Sequence, residues 1–370
     1  MRYYLIAGEA SGDLHGSHLI RAIKNADKEA AIRCWGGDLM QEASGNEVVK
    51  HYRQLAFMGF LEVVKNLPTI LSNLKFCKKD ILAFRPDVLV LIDYPGFNLR
   101  IAKWAKKQGF KVAYYISPQV WAWKENRGKE MKRSIDEMMV ILPFEKDYFA
   151  KKWNWPVAYV GHPLMEAIQN FKGKNKSALR FEKPVIALLP GSRKQEISIK
   201  LPLMLEVTEI FPDYQFIIAK APGIEDAFYE SYIHRSPNIS TLSNQTYALL
   251  QQATAALVTS GTATLETALF GVPQVVCYKG SRISYEIARR VIKVKFISLV
   301  NLIMNQPVIP ELIQNDLNRQ RLSEELSAIL PDGKNREKML HQYSLLSKKL
   351  EAETSASYRS AQIIISLASR

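Results

Sequence analysis

Two short stretches in the second half of the chain bring hydroxyls, glycine and charge together in a way that suits a phosphate group. In SGTATLE (260–266) an apolar run, TAALV, gives way to Ser260, Gly261, Thr262 and Thr264, and the carboxylate of Glu266 follows one turn later. A strand that passes through glycine into a helix turns the free N–H groups of the first helical turn outward, with the positive end of the helix dipole behind them. Ala263 stands three residues before Glu266, so the S/T-x-x-E spacing of a capping box fails. Glu266 is then either a surface carboxylate complementing the dipole or an acceptor for a ribose diol. In LLPGSRKQEI (188–197), Gly191, Ser192 and Arg193 follow a second apolar run. A guanidinium at such a turn can bond two oxygens of a diphosphate; the plainer reading is a surface arginine in a tight turn. Phosphate donors and a ribose acceptor are what a nucleotide needs.

The first half has its own polar strand ends. AGEASGDLHGS (7–17) crowds Glu9, Ser11, Asp13 and His15 behind the first apolar run. Its glycines are four apart, so it is neither a G-x-G-x-x-G fingerprint nor a P-loop. Helix capping accounts for Ser11 or Asp13 but does not require all four polar groups. In LIDYPGFN (91–98), Asp93 ends an apolar run before a Pro-Gly turn, where it either initiates the turn or points into a cleft. Trp121 and Trp123 in SPQVWAWKENR (117–127) are core anchors or an aromatic wall, and His162 in VGHPL is read as structural.

These loops need strands to position them. YYLIAG, VLVLID, KVAYYIS, EMMVIL and VAYVG read as one series of buried strands, and PVIALLPGS, YQFIIAK, NISTLS, TAALVTS and QVVCYK as a second. Helical patterns or long loops separate them, which argues for parallel sheets covered on both faces. The polar patch FKGKNKSALRFEKP (171–184) separates the series, and helices occupy the chain beyond about residue 322. The expected fold is α/β, with two doubly wound, Rossmann-like domains facing a central cleft. A length of 370 residues agrees with two domains. The three cysteines are far apart and form no C-x-x-C, which fits a reducing compartment and argues against disulfides or zinc. No run approaches the roughly 18 apolar residues of a membrane span, and the N-terminus does not read as a signal peptide. The net charge of +14 suits nucleic acid, anionic lipid or phosphorylated substrates, but no nucleic-acid-binding signature accompanies it.

AGEASGDLHG, LAFMGFLEV, IDYPGFN, SPQVWAW, ILPFE, GHPL, LPGSR, SGTATLE, and SLVN followed by Pro310-Glu311 run in this order across nearly the whole chain. The set resembles the lipid-A-disaccharide synthases, family 19 bacterial glycosyltransferases of GT-B architecture. Tyr94 and Gly96 stand where alanine and aspartate would be expected, with Asp93 in place. The resemblance implies an inverting transfer from UDP-2,3-diacylglucosamine to 2,3-diacylglucosamine 1-phosphate, giving a β-1,6-linked tetraacyl disaccharide 1-phosphate and UDP. For that reaction the residues give catalysis to Asp93 and Arg193, with Glu9, Asp13 or His15 as the other candidate bases. Substrate binding falls to Glu9, Ser11, Asp13, His15, Asn98, Gln119, Gly191, Ser192, Ser260, Gly261, Thr262 and Glu266. No cofactor is implied, and the chain has no D-x-D metal motif.

On this reading residues 1–170 form an acceptor-binding and membrane-contact domain and 171–345 a UDP-sugar-binding domain, while 346–370 is a helix returning onto the N-terminal domain. Both substrates carry acyl chains, so the protein is expected to be cytoplasmic and peripheral on the inner membrane. The apolar stretch 57–76 would meet anionic lipid through Leu61, Val63, Val64, Leu67, Ile70 and Leu71; otherwise it is a helix or hairpin buried against the first sheet. Nucleic acid is not an expected partner, and a homodimer is left open. The alternatives are a UDP-sugar epimerase or another UDP-sugar glycosyltransferase of the same fold, or a non-catalytic basic protein binding RNA or membrane.

Overall fold

The structure is a computed structural model and describes residues 1–55, 67–174, 179–233, 237–281, 285–286 and 294–370. The apolar runs become parallel strands. β1 (Arg2–Ala7), β2 (Ala31–Trp35), β3 (Val88–Ile92), β4 (Val112–Tyr115), β5 (Glu137–Val140) and β6 (Ala158–Tyr159) pair in the order β2-β1-β3-β4-β5-β6. Both faces are covered: Tyr4, Ile6, Leu89 and Leu91 enter one apolar cluster, while Tyr3, Leu5, Val88 and Val90 enter the other. Burial on both faces is why these strands read as continuous apolar runs rather than alternating ones.

The helices of this series are α1 (Ala10–Ala26), α2 (Asp38–Ser44), α3 (Leu67–Phe84), α4 (Pro95–Lys107), α5 (Arg127–Ser134) and α6 (Pro143–Trp153). After α7 (Pro163–Lys174) the rhythm restarts. β7 (Val185–Leu189), β8 (Gln215–Lys220), β9 (Ile239–Ser243), β10 (Ala253–Val258), β11 (Gln274–Tyr278) and β12 (Glu311–Ile313) form a second parallel sheet, ordered β12-β11-β10-β7-β8-β9. Its helices are α8 (Lys194–Leu205), α9 (Asp226–Glu230), α10 (Thr246–Leu250), α11 (Thr262–Leu269), α12 (Leu299–Met304), α13 (Arg319–Ile329) and α14 (Arg336–Leu350). The last helix, α15 (Ala356–Ser369), lies along α1.

The chain divides into two compact units, Met1–Pro163 with Ala352–Arg370, and Leu164–Glu351. The C-terminal segment joins the first unit because Ala361, Ile364 and Leu367 enter the same cluster as Leu19, Ile20 and Ile23 of α1. Lys111 Nζ donates to the carbonyl of Ala368 at 3.0 Å, and Arg370 pairs with Glu137 at 3.1 Å. On the opposite face Asp80 fixes α3. Its carboxylate accepts two bonds from Arg33, at 2.7 and 2.8 Å, and one from the Tyr4 hydroxyl at 2.6 Å.

Each sheet has one topological switch point. In the first, the chain passes from β1 to β2 on one side and to β3 on the other; in the second, β7 leads one way and β10 the other. Ligands of open α/β sheets bind outside the carboxyl ends of the strands at these points. Asp93 directly follows β3, and the Gly191–Arg193 and Ser260–Thr262 turns follow β7 and β10.

Candidate functional site

At the first switch point, Asp93 and Tyr94 both adopt left-handed backbone conformations, with φ of 44° and 49°. Such conformations cost about 1–3 kcal/mol each and persist only when the surroundings hold them. Here the Asp93 N–H donates to the Tyr115 carbonyl at 3.0 Å. The Asp93 carbonyl accepts from Asn98 Nδ2 at 2.8 Å and from the Tyr114 hydroxyl at 2.6 Å. Asn98, fully buried, also reaches the carbonyls of Ile6 and Ile92, so it ties the ends of β1 and β3 together. The Tyr94 ring lies over Gly8, where a side chain would come within 2.3 Å of it, and its hydroxyl donates to the Leu55 carbonyl.

Burial, reinforced by the charge of Glu9, pushes the Asp93 carboxyl up to about 7. That is the range in which a carboxylate can accept a proton efficiently at neutral pH. Glu145, which the sequence reading passed over, belongs to the same neighbourhood. It is buried, its pKa is also pushed up to about 7 by burial, and the charge of Asp93 adds to that shift. Trp121 Nε1 donates to it at 3.0 Å, as do the N–H groups of Ile141 and Leu142 at 3.2 and 2.9 Å. Its position three residues beyond the start of an apolar-to-helix junction, Leu142, was the available signal. Trp121 is thus an anchor, whereas Trp123 is 45% exposed with Lys124 4.3 Å from its ring.

The other candidates of the first half divide by environment. Asp13 is buried and accepts from the N–H groups of Gly37, Leu39 and Met40 at 2.7, 3.2 and 3.0 Å, so it holds the start of α2. His15 is buried on α1, its Nδ1 without a hydrogen-bond partner. Burial first, then the charge of His18, lowers its pKa to about 4, and burial lowers that of His162 to about 3. Ser11 and Gln119 are exposed. Beside the Asp93 turn, α4 and α5 enclose a cavity of about 300 Å³ lined by Pro95, Gly96, Leu99, Arg100, Arg127 and Met131, among others.

At the second switch point, Gly191 and Gly261 have φ of 130° and 115°, which a side chain would resist. Gly261 caps α11, so Thr262 begins the helix and the turn stands open; Thr262 and Ser192 are exposed and Ser260 half-buried. Arg193 caps α8 and pairs with Glu196 at 3.3 Å while remaining 54% exposed. Glu266, one turn into α11, accepts from the Tyr247 hydroxyl at 2.8 Å. Burial raises its pKa, and the tyrosine bond opposes the rise. The sequence reading missed Lys200, on α8, which is 3% exposed and donates to the Thr259 hydroxyl at the end of β10. Among the described residues no group of three His, Cys, Asp or Glu side chains could hold a metal ion.

Of the expected membrane residues, Leu61, Val63 and Val64 lie outside the described residues. Leu67 and Leu71 are 45% and 53% exposed on α3, while Ile70 packs partly against the core. No helix among the described residues is long and apolar enough to cross a membrane.

Two six-stranded parallel sheets with flanking helices and paired switch-point turns make this a GT-B protein. Solved structures of that architecture align over nearly the whole chain. A UDP-GlcNAc 2-epimerase from Neisseria meningitidis, bound to UDP-GlcNAc, superposes with a TM-score of 0.66 at 12% identity, covering 99% of both chains. The glycosyltransferase of kitacinnamycin superposes with a TM-score of 0.68 at 14% identity, again over 99% of both. The family is set by sequence. The model of the lipid-A-disaccharide synthetase family matches residues 3–365, and the chain belongs to that family of glycosyltransferases. The lipid-A-disaccharide synthase of Syntrophus aciditrophicus is 39% identical over 94% of this chain and 92% of its own. That of Coxiella burnetii is 37% identical over 95% of each.

Proposed function

We propose that the chain transfers 2,3-diacylglucosamine from its UDP carrier to the 6-hydroxyl of 2,3-diacylglucosamine 1-phosphate. The observation that carries the mechanism is Asp93, held at a switch point with its pKa raised to about 7. As general base its carboxylate takes the proton of the 6-hydroxyl while that oxygen bonds to the anomeric carbon of the donor. The bond from that carbon to the diphosphate breaks on the opposite face, and its electron pair leaves with UDP. One displacement of this kind inverts the α-linked donor to a β-1,6 disaccharide. Arg193 and the N–H groups at the start of α11 meet the charge that develops on the diphosphate, and Glu266 takes the ribose hydroxyls. Arg100 and Arg127 beside the Asp93 turn offer charge for the acceptor's phosphate.

On this reading the first unit serves the acceptor and the second the UDP-sugar. Leu67 and Leu71, with the lysines of α3, supply a face for anionic lipid on the cytoplasmic leaflet. The test is mass spectrometry of products from UDP-diacylglucosamine incubated with and without diacylglucosamine 1-phosphate. A tetraacyl disaccharide phosphate that forms only with acceptor is the expected result. UDP release or sugar isomerisation without acceptor would favour the epimerase alternative.

A further inference from the structure

A lysine buried beside one neutral hydroxyl needs an explanation, because removing an ammonium from water costs several kcal/mol unless charge compensates it. Lys200 is in that position. Its Nζ donates to Thr259 Oγ1, and among the described residues no carboxylate lies within ion-pair distance of it. The nearest acidic influence is Glu196, whose carboxylate pairs with Arg193 instead. Burial accordingly lowers the lysine's pKa.

The place of this ammonium is as informative as its burial. Lys200 starts from the helix that follows β7 and reaches the residue that follows β10, so it bridges the two strands of the second switch point. The Thr259 N–H donates to the carbonyl of Leu189 at 2.9 Å, which closes the strand ends beneath it. A side chain at Gly191 would begin 2.8 Å from Glu196 Oε2 and 3.7 Å from Nζ, and the Tyr278 ring at the end of β11 lies 6.0 Å away. Arg193, which caps α8, pairs with Glu196, and with Lys200 one turn beyond Glu196 on the same helix the three leave a net positive charge beside the open glycine turn.

We propose that Lys200, held by the Thr259 hydroxyl, binds the terminal phosphate of a uridine diphosphate group. The proposal rests on the nucleotide-sugar reading above. With Glu266 at the ribose end and the start of α11 next to it, the terminal phosphate falls toward Gly191, where Nζ stands. An ammonium has three donors, and the Thr259 hydroxyl takes one of them. In the transfer reaction this phosphate carries the leaving oxygen, so the lysine stabilises the departing group.

The experiment compares UDP and UMP binding by calorimetry on the full chain, with melting temperature as the control for folding. Lys200→Met is expected to weaken UDP by about tenfold to 100-fold, the value of one or two charge-assisted hydrogen bonds, and UMP by less than about threefold. Should Lys200→Met not fold, Thr259→Val keeps the ammonium but removes its anchor. It is expected to lower the UDP-over-UMP preference in the same direction by a smaller factor. Equal weakening of both nucleotides, or no change in either, would overturn the proposal while leaving the nucleotide reading intact. A parent protein that binds neither nucleotide would overturn both.

Discussion

As the proposed general base, Asp93 has to meet two demands that oppose each other. A general base works best with a pKa near the operating pH, and burial delivers that by making the charged form costly. The sign for catalysis follows directly: below about pH 7 the carboxyl is protonated and cannot accept the hydroxyl proton. The limiting rate kcat/KM is therefore expected to rise with pH through about 7. Asp93→Asn is expected to lose about 10²–10⁴ in turnover with UDP binding intact, which steady-state kinetics alongside calorimetry would check. The sign for stability is the reverse. A carboxyl raised from 3.8 to about 7 favours the native state fully below pH 4 and loses that contribution as pH rises through 7. At pH 8 the permanently neutral asparagine should melt above the parent. Normal turnover in this variant would pass the role to Glu9, His15 or Asp13, of which Asp13 already holds the start of α2. Arg193 is the contrasting case, since its guanidinium is 54% exposed and contributes little to the fold. Arg193→Ala is expected to lower turnover at least about tenfold with an unchanged melting temperature; near-normal activity would remove it from the diphosphate site.

Among the elements, the strands were legible and several of the contacts that aim them were not. Ten of the twelve strands among the described residues fall on stretches that read as strands. Eight of them are apolar runs, because a parallel strand buried on both faces has no reason to alternate; β6 and β9, at the sheet edges, are only partly buried. β2 escaped because Arg33 interrupts AIRCW, and its guanidinium leaves the sheet to reach Asp80, 47 residues away. β12 has three residues, too few for a pattern. Its first residue, Glu311, accepts from the N–H groups of Ile297 and Ser298 and from Asn301 Nδ2, which ties the SLVN segment to Pro310-Glu311. The switch-point turns could be located from sequence, since glycine, hydroxyls and charge cluster after strands. Lys200 could not, because its partner is 59 residues distant. The Arg33–Asp80–Tyr4 cluster sets the position of α3, and its disruption has a predictable size. Asp80→Ala leaves Arg33 without its partner and removes the acceptor of the Tyr4 hydroxyl, so a loss of about 1.5–3 kcal/mol is expected in urea unfolding. A change below about 0.5 kcal/mol would mean that apolar packing alone holds the helix.

For the whole molecule, the question is how a chain with no membrane-spanning helix among its described residues reaches acylated substrates. A net charge of +14 gives long-range attraction to an anionic leaflet, and each basic residue close to the surface contributes about 1 kcal/mol. Charge alone would be reversible by salt, so an apolar contact is needed to add a contribution that salt does not screen. The exposed face of α3 has the composition for it. Leu67 and Leu71 are one turn apart and about half exposed, Leu82 is 47% exposed, and Lys75 and Lys78 fall between them on the same helical face. Burying a leucine fully is worth about 1.5–3 kcal/mol, so two or three half-exposed ones beside a few lysines suffice for reversible attachment. The variant with serine at Leu61, Val64, Leu67 and Leu71 is expected to stay folded, since Leu67 and Leu71 are exposed. It should no longer float with phosphatidylglycerol vesicles, and the parent should be only partly released at 1 M salt, where the Debye length falls to about 3 Å. If the variant floats as well as the parent, or unfolds, the apolar face belongs to the fold and any membrane contact lies elsewhere.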